Sequence, residues 1–551
     1  MLPSSSRRFP AGAVWLLALV TGAMRLPGLR DLPVFGDEAI HVHWSQLVRE
    51  DPGRFAFVSM QDPKPPLHFW LVALALPWAS DPIRAGRLVS VFFGALSIAP
   101  LFAVVLEIRR RFRTPDASAA HAALAACLLA MFCPFAAFSQ RLALAESLFL
   151  CESLLAVLLA LRIAVGAPRA TGLRDAAFFG VALGLAMLTR QNFSYALWAF
   201  PALSFGCLAP AERCAPREFL TRLALAGVVA LLLWGPLLLQ PTGPEWRVRV
   251  FHVGAFRQPL SWASRAGNAV SIASWLWTYL TPPLLLLCLV GLVHLLVSRN
   301  LRVFAFLTGW MAIVTGPLVL FASVLFSRYA FTVSAPLWVA GGCLAAWVLA
   351  RARRPETAPL LRRAVFVLAA ALLVWPARDL YRQVKDWRSS PLSPPDRWQY
   401  VTGWPAGFAT EQALAWLRGR ASATPLVLVT PDVSGNPGDT AQVLLRGESR
   451  IARYAAPNAV TGEVLVAAPD LPGAFLLSGD LRKMEPPAAV RLPAGRPVYF
   501  LAPDPFLTRN GWRPAREFFG AANPGIDAVA RFENPAGTSG DHEAIVIFRL
   551  K

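Results

Sequence analysis

Lysine is scarce in this chain: only four of its 53 basic residues are lysine, and Lys64 is the only one before Lys385. An ammonium spared in an arginine-biased sequence, beside apolar runs, is a functional candidate because charge held next to a bilayer is costly. The seven cysteines show no CxxC spacing and none follows Cys343, which leaves a disulfide framework and a thiolate zinc site unsupported. No repeat of about 20–50 residues is evident, against a solenoid or propeller. Acidic residues are also few, 33, so the net charge is +20. In a soluble protein that balance would suggest nucleic acid. Here the arginines fall between apolar runs, so membrane topology accounts for them and nucleic-acid binding is set aside. At 56% hydrophobic residues, the chain is not a soluble globular protein.

Apolar runs of the length needed to cross a hydrocarbon core recur through the first 380 residues. Eleven candidate spans follow, near 11–29, 87–107, 118–137, 146–164, 175–190, 193–209, 222–240, 276–297, 303–325, 330–350 and 363–378. The first follows Arg7 and Arg8, lacks a clear small-residue cleavage site, and is expected to be a retained span. Arginine clusters at 109–113, 169–174, 213–222, 299–302 and 351–363 fall, with Arg7 and Arg8, in alternate loops. One topology therefore puts all of them in the cytoplasm. It puts the loop 30–86, Gln140 to Ala145, the Gln191-Asn192 turn, the loop 241–275 and the Ser327-Arg328-Tyr329 turn on the opposite face. The apolar stretch Pro66–Trp78 is short for a crossing and starts with Pro-Pro, so an interfacial or re-entrant helix is expected.

After about residue 380 the composition changes. Pro391, Pro394 and Pro395 mark a linker over 381–404, and 405–551 reads as an α/β domain on the extracytoplasmic side. A helix is expected over Glu411–Arg420, with strands at Pro425–Thr430, Glu463–Ala468, Pro497–Leu501 and Ala544–Arg549. The expected fold class is thus a polytopic α-helical membrane protein with a C-terminal extracytoplasmic α/β domain.

Candidate chemistry gathers on the non-cytoplasmic face. Asp37 and Glu38 follow the first span, Lys64 lies in the same loop, Arg141 and Glu146 flank the second loop, and Arg328-Tyr329 opens a later span. Carboxylates and fixed cations at one membrane face suit a substrate carrying phosphate and a reacting hydroxyl. A carboxylate can take the hydroxyl proton, and cations can steady a leaving phosphate. His41, His43 and His68 could with Glu38 be imagined as a metal set, but structural hydrogen bonding explains such histidines better, so no cofactor is assigned and a divalent metal is unsupported. His252 and His294 are read as structural. Interfacial tryptophans such as Trp44, Trp70 and Trp78 fit an aromatic belt.

The order of these motifs carries more than any one of them. Asp37-Glu38 after the first span, Lys64-Pro65-Pro66-Leu67 before Trp70, Arg87-Leu88-Val89-Ser90, Arg141 to Glu146, Gly184 to Arg190 and Arg328-Tyr329 together resemble the GT-C membrane glycosyltransferases. More narrowly, the chain looks like the protein-mannosyltransferase and aminoarabinose-transferase type, over about residues 10–350. The resemblance implies a polyprenyl-phosphate sugar donor, inversion at the anomeric carbon, and an acceptor that is lipid, glycan or protein. It implies Asp37 as general base or acceptor-orienting group with Glu38 in support, and Lys64, Arg141 and Arg328 as donor-phosphate contacts. Glu146, Arg190 and Tyr329 would line the cavity. Three departures stand out: Pro63 precedes Lys64 where an acid is common, Glu146 replaces the usual aspartate, and Arg190-Gln191 replaces a Lys-Gly or Lys-Gln pair. A rival class, a transporter or flippase of lipid-linked sugars, would be favoured by inverted repeats with broken helices, and the sequence shows neither.

Overall fold

The computed structural model describes residues 11–61, 64–112, 119–239, 260–431, 435–456, 474–477, 488–491, 495–504, 506–508, 511–514, 526–534 and 543–550. The chain is predominantly helical, with a β-sheet near its C-terminus. Among the described residues, six helices are long and apolar enough to cross a membrane: Pro82–Arg111, Arg169–Gln191, Pro216–Leu239, Leu301–Phe321, Ser327–Ala352 and Pro359–Lys385. A bent pair, Trp262–Leu280 with Pro282–Val297, makes a seventh if counted as one span.

Prolines and a local break explain where the other expected spans differ. The run near 118–137 is a helix Ala119–Phe132 that stops at Cys133-Pro134 and restarts as Pro134–Ser139. The run near 193–209 is a 3-10 turn, Tyr195–Ala199, followed by Phe200–Cys207. Where one span was expected at 276–297, two helices meet at 114°. Thr281 between them has φ 66°, and Pro282-Pro283 cannot continue the preceding helix. The expectation of no broken helix is therefore overturned. Part of the expected loop 241–275 is helical as well, from Trp262 onward; its residues 241–259, with Trp246, Arg247, Arg249, His252 and Arg257, lie outside the described residues. Leu67–Ala75 with the 3-10 turn Leu76–Trp78 is a short apolar helix, too short to cross alone.

Two compact units are present: Met1–Leu29 with Phe57–His68 and Arg87–Leu392, and Arg30–Ala56 with Phe69–Gly86 and Ser393–Lys551. In the first, helix Arg169–Ser194 packs on Glu146–Ile163 and on Pro216–Trp234. Small residues permit the second contact: a Cβ added at Gly180 would lie 2.5 Å from the Ala226 carbonyl oxygen, and one at Gly184 2.9 Å from Leu233 Cβ. Arg222, fully buried, donates to the carbonyls of Ile163 and Val165 and so closes the C-terminal end of helix Glu146–Ile163.

In the second unit the strands are β1 (Leu426–Pro431), β2 (Ile451–Ala456), β3 (Ala474–Leu477), β4 (Ala488–Arg491), β5 (Val498–Pro503), β6 (Phe506–Thr508), β7 (Gly511–Arg513), β8 (Ile526–Glu533) and β9 (Ala544–Leu550). Five form a mixed sheet in the order β2-β1-β5-β9-β8. β1 runs parallel to β2 and β5, while β9 is antiparallel to β5 and β8. The continuous Leu426-Val427-Leu428-Val429 run fits a central strand buried on both faces. Helix Phe408–Ala423 lays Ala409, Ala413 and Leu417 against Leu428, Leu501 and Ile547. The expected strand Glu463–Ala468 lies outside the described residues.

That helix begins at Gly407, which has φ 83° and no side chain to cap it. Glu543 supplies the cap from far along the chain: its Oε1 accepts from Thr410 N at 3.1 Å and from Thr410 Oγ1 at 3.3 Å. Burial outweighs these bonds and pushes the carboxyl up from 4.5 to about 7. A raised acid binds its proton more tightly folded than unfolded, so the stability it contributes is full below about pH 4.5 and is lost as pH rises through about 7. The C-terminal domain is expected to lose on the order of 3 kcal/mol over that window, and Glu543→Gln to flatten the profile, as read by thermal unfolding against pH. In the membrane unit, Gly180→Val is expected to lower thermal stability by about 1–3 kcal/mol through overpacking against Ala226, as checked by unfolding in detergent.

Candidate active site

The second loop of the membrane unit is built on arginines that grip backbone. Arg25 donates to Gln140 Oε1 at 3.1 Å and to Met131 O at 2.7 Å. Arg87 donates to Leu29 O at 2.8 Å, and Arg141 Nη2 to Gly28 O at 2.8 Å. These bonds satisfy carbonyls just past the first helix, where backbone acceptors have no intrahelical donor. Arg141 thus has a visible structural task in addition to the phosphate contact expected of it.

Glu146 is the first residue of helix Glu146–Ile163, where the helix dipole favours a carboxylate. Helix Arg169–Ser194 loses helical geometry at one residue, Arg190, with φ −148° and ψ 78°. There Arg190 Nη1 reaches Glu146 Oε1 at 3.0 Å. The 3-10 segment Ser327–Val333 brings Arg328 Nε to 3.8 Å from the same oxygen. Aromatic rings hold both cations in place. Arg190 lies 4.4 Å from the Phe193 ring centre and 5.0 Å from that of Tyr329. Arg328 lies 4.8 Å from Phe326 and 5.7 Å from Tyr329. Each such stack contributes about 0.5–2 kcal/mol, the larger value where water is excluded.

An apolar cavity of about 400 Å³ adjoins this cluster and shares the Phe193 and Tyr329 rings with it; Phe149, Leu154, Trp310 and Phe321 are among its other walls. The structure therefore brings four of the sequence-predicted residues together, Glu146, Arg190, Arg328 and Tyr329. It adds Phe193 and Phe326, which the sequence reading did not single out. Also missed was Glu152, buried in the same helix as Glu146 and accepting from Thr189 Oγ1 at 2.8 Å. A second carboxylate, set among the apolar residues inside an 18-residue helix, was the signal available.

Lys64 belongs to the same unit, between the 3-10 turn Val58–Gln61 and helix Leu67–Ala75; its backbone N–H donates to Ser59 O at 3.1 Å and its side chain is half-buried. Asp37 and Glu38 belong to the other unit. They were expected in a polar loop, but they occupy the first turn of helix Gly36–Glu50. Glu38, fully buried, folds back so that Oε2 accepts from Phe35 N at 3.3 Å, which anchors the start of the helix. Asp37 is half-buried. His43 Nδ1 and Asp439 Oδ1 are 2.6 Å apart, and His41 packs on Phe69 with ring centres 4.5 Å apart. Among the described residues no three His, Cys, Asp or Glu side chains converge as metal ligands.

Residues 63–239 match the dolichyl-phosphate-mannose-protein mannosyltransferase family. No curated protein matches the sequence. Among solved structures, the chain is similar to ArnT from Cupriavidus metallidurans bound to undecaprenyl phosphate, at 14% identity and a TM-score of 0.54, covering 98% of each chain. It is similar to the same protein in the apo state at 13% identity and a TM-score of 0.54, covering 97% of this chain and 98% of that one. The chain thus has the fold of the GT-C membrane glycosyltransferases, and its residues 63–239 carry the mannosyltransferase family pattern within it.

Proposed function

We propose that the protein is an inverting glycosyltransferase that moves one sugar from a polyprenyl-phosphate donor to an acceptor hydroxyl or similar group at the extracytoplasmic membrane face. One observation carries this reading: Arg190 and Arg328 are held beside an apolar cavity whose walls include Phe193 and Tyr329, rings that pack on them. A polyprenyl phosphate has the matching chemistry, an anion joined to a long apolar tail. The ArnT structure similar to this chain was solved with undecaprenyl phosphate bound, which supports the same carrier class here.

In the proposed reaction the acceptor oxygen attacks the anomeric carbon from the face opposite the phosphate. The new carbon–oxygen bond forms as the old one breaks, and the bridging oxygen leaves with the polyprenyl phosphate. Asp37 takes the acceptor proton, while Glu38 sets the helix start that carries Asp37. Lys64 and Arg328 meet the donor phosphate, with Arg141 bordering it. An ammonium about 4 Å from a phosphate oxygen contributes on the order of 4 kcal/mol at an effective dielectric near 20.

The eleven-span topology, with residues 1–380 in the membrane, 381–404 as linker and 405–551 as an extracytoplasmic domain, belongs to this proposal. So does a place in a bacterial plasma membrane, serving the cell envelope. The arginine alternation supports that orientation. The bent pair at Thr281 is a feature transporters use, but a transporter built from inverted repeats has broken helices in corresponding positions of both halves, and among the described residues there is one such pair.

Purified protein given polyprenyl-phosphate sugars is expected to release polyprenyl phosphate. Asp37→Asn should lower that release at least about 100-fold, with folding and donor binding retained. Full turnover by the variant would remove Asp37 from the chemistry, and movement of intact donor between leaflets would identify a transporter. Arg328→Gln should raise the donor KM about tenfold or more, as measured by steady-state kinetics.

A further inference from the structure

Resting on the proposed donor, we infer that Glu146 is a resident stand-in for the donor phosphate: it holds the two-arginine seat when the lipid is absent, must be displaced when the lipid binds, and helps expel polyprenyl phosphate after transfer. The first support is charge. Two guanidiniums face a single carboxylate oxygen, Glu146 Oε1, at 3.0 and 3.8 Å. The three side chains are well shielded, at 7% exposure for Glu146, 15% for Arg190 and 12% for Arg328. Such a seat is short of negative charge by one.

The second support is an imperfect fit. Glu146 Oε2 is buried and meets no hydrogen-bond partner among the described residues. A buried carboxylate serving stability alone should have both oxygens satisfied, because an orphan costs roughly 1–3 kcal/mol. A phosphate, with more acceptor oxygens than a carboxylate, matches two guanidiniums better.

The third support is which partners are fixed. Both arginines are clamped between or against rings, Arg190 by Phe193 and Tyr329 and Arg328 by Phe326 and Tyr329. Among the described residues Glu146 is held through Oε1 alone, and it follows an N-cap residue, Ala145, that offers no side-chain hydrogen bond. The anion is therefore the exchangeable member of the cluster. The apolar cavity that shares Phe193 and Tyr329 aligns a lipid tail with the seat it would take over.

The full-length protein in detergent or nanodiscs should be titrated with undecaprenyl phosphate. Glu146→Gln keeps the shape and removes the competing charge, so Kd should fall by about tenfold while kcat falls with slower product release. An unchanged or higher Kd in that variant would overturn the stand-in role. Carbodiimide labelling of wild-type Glu146, read by mass spectrometry, needs no variant: labelling should rise when undecaprenyl phosphate is added, and no rise would overturn the inference. Failure of the wild type to bind undecaprenyl phosphate at all would instead sink the proposed donor.

Discussion

The membrane unit turns on the problem of keeping two guanidiniums in an apolar setting. Cations there need counter-charge, hydrogen bonds or π faces, and Arg190 and Arg328 are given Glu146 and three aromatic rings. That solution dictates its surroundings. Glu146 must stand at a helix start, Arg190 at a break in helix Arg169–Ser194, and Tyr329 on a tight 3-10 segment between both cations. Two of those rings, Phe193 and Tyr329, are also walls of the apolar cavity, so the polar and lipophilic parts of the proposed site are one construction.

Precision at Arg190 depends on helix packing some distance away. Gly180 and Gly184 let helix Arg169–Ser194 approach Pro216–Trp234 closely, and Arg222 ties the latter helix to the end of Glu146–Ile163. Helix Glu146–Ile163 is thus braced at the end remote from Glu146, and helix Arg169–Ser194 along its middle. Backbone-gripping arginines do similar work elsewhere: Arg87 and Arg141 close the turn after the first helix, and Arg25 bonds the end of helix Ala119–Phe132. Arginine suits this role because its planar fork reaches several carbonyls at once and stays charged when buried. The arginine bias of the sequence therefore serves the fold as well as the proposed topology.

The C-terminal unit solves a comparable problem by distance in sequence. A helix started by a glycine lacks a cap, and Glu543 provides one across more than a hundred residues of chain. In the same unit Glu38 and Glu411 also satisfy backbone N–H groups, at Phe35 and Val34. Carboxylates that look like solvated loop acids in the sequence are here part of the framework, with Asp37 left as the half-buried member of its pair.

Much of the architecture was legible from composition and order. Apolar runs marked most helices, the Leu-Val alternation at 426–429 marked a buried strand, and six motifs in sequence pointed to the GT-C fold that the structural comparison bears out. What could not be read were the bend at Thr281, the break at Arg190, the placing of Asp37 and Glu38 on a helix, and the partners of Glu146. Hydrophobic periodicity reports how much a segment wants to be buried, and a proline reports where a helix cannot continue. Neither reports which distant side chain meets which. Composition and motif order required charge beside the membrane and its compensation; packing in three dimensions settled that two arginines share one carboxylate oxygen, because that contact joins residues 146, 190 and 328, which no local rule connects.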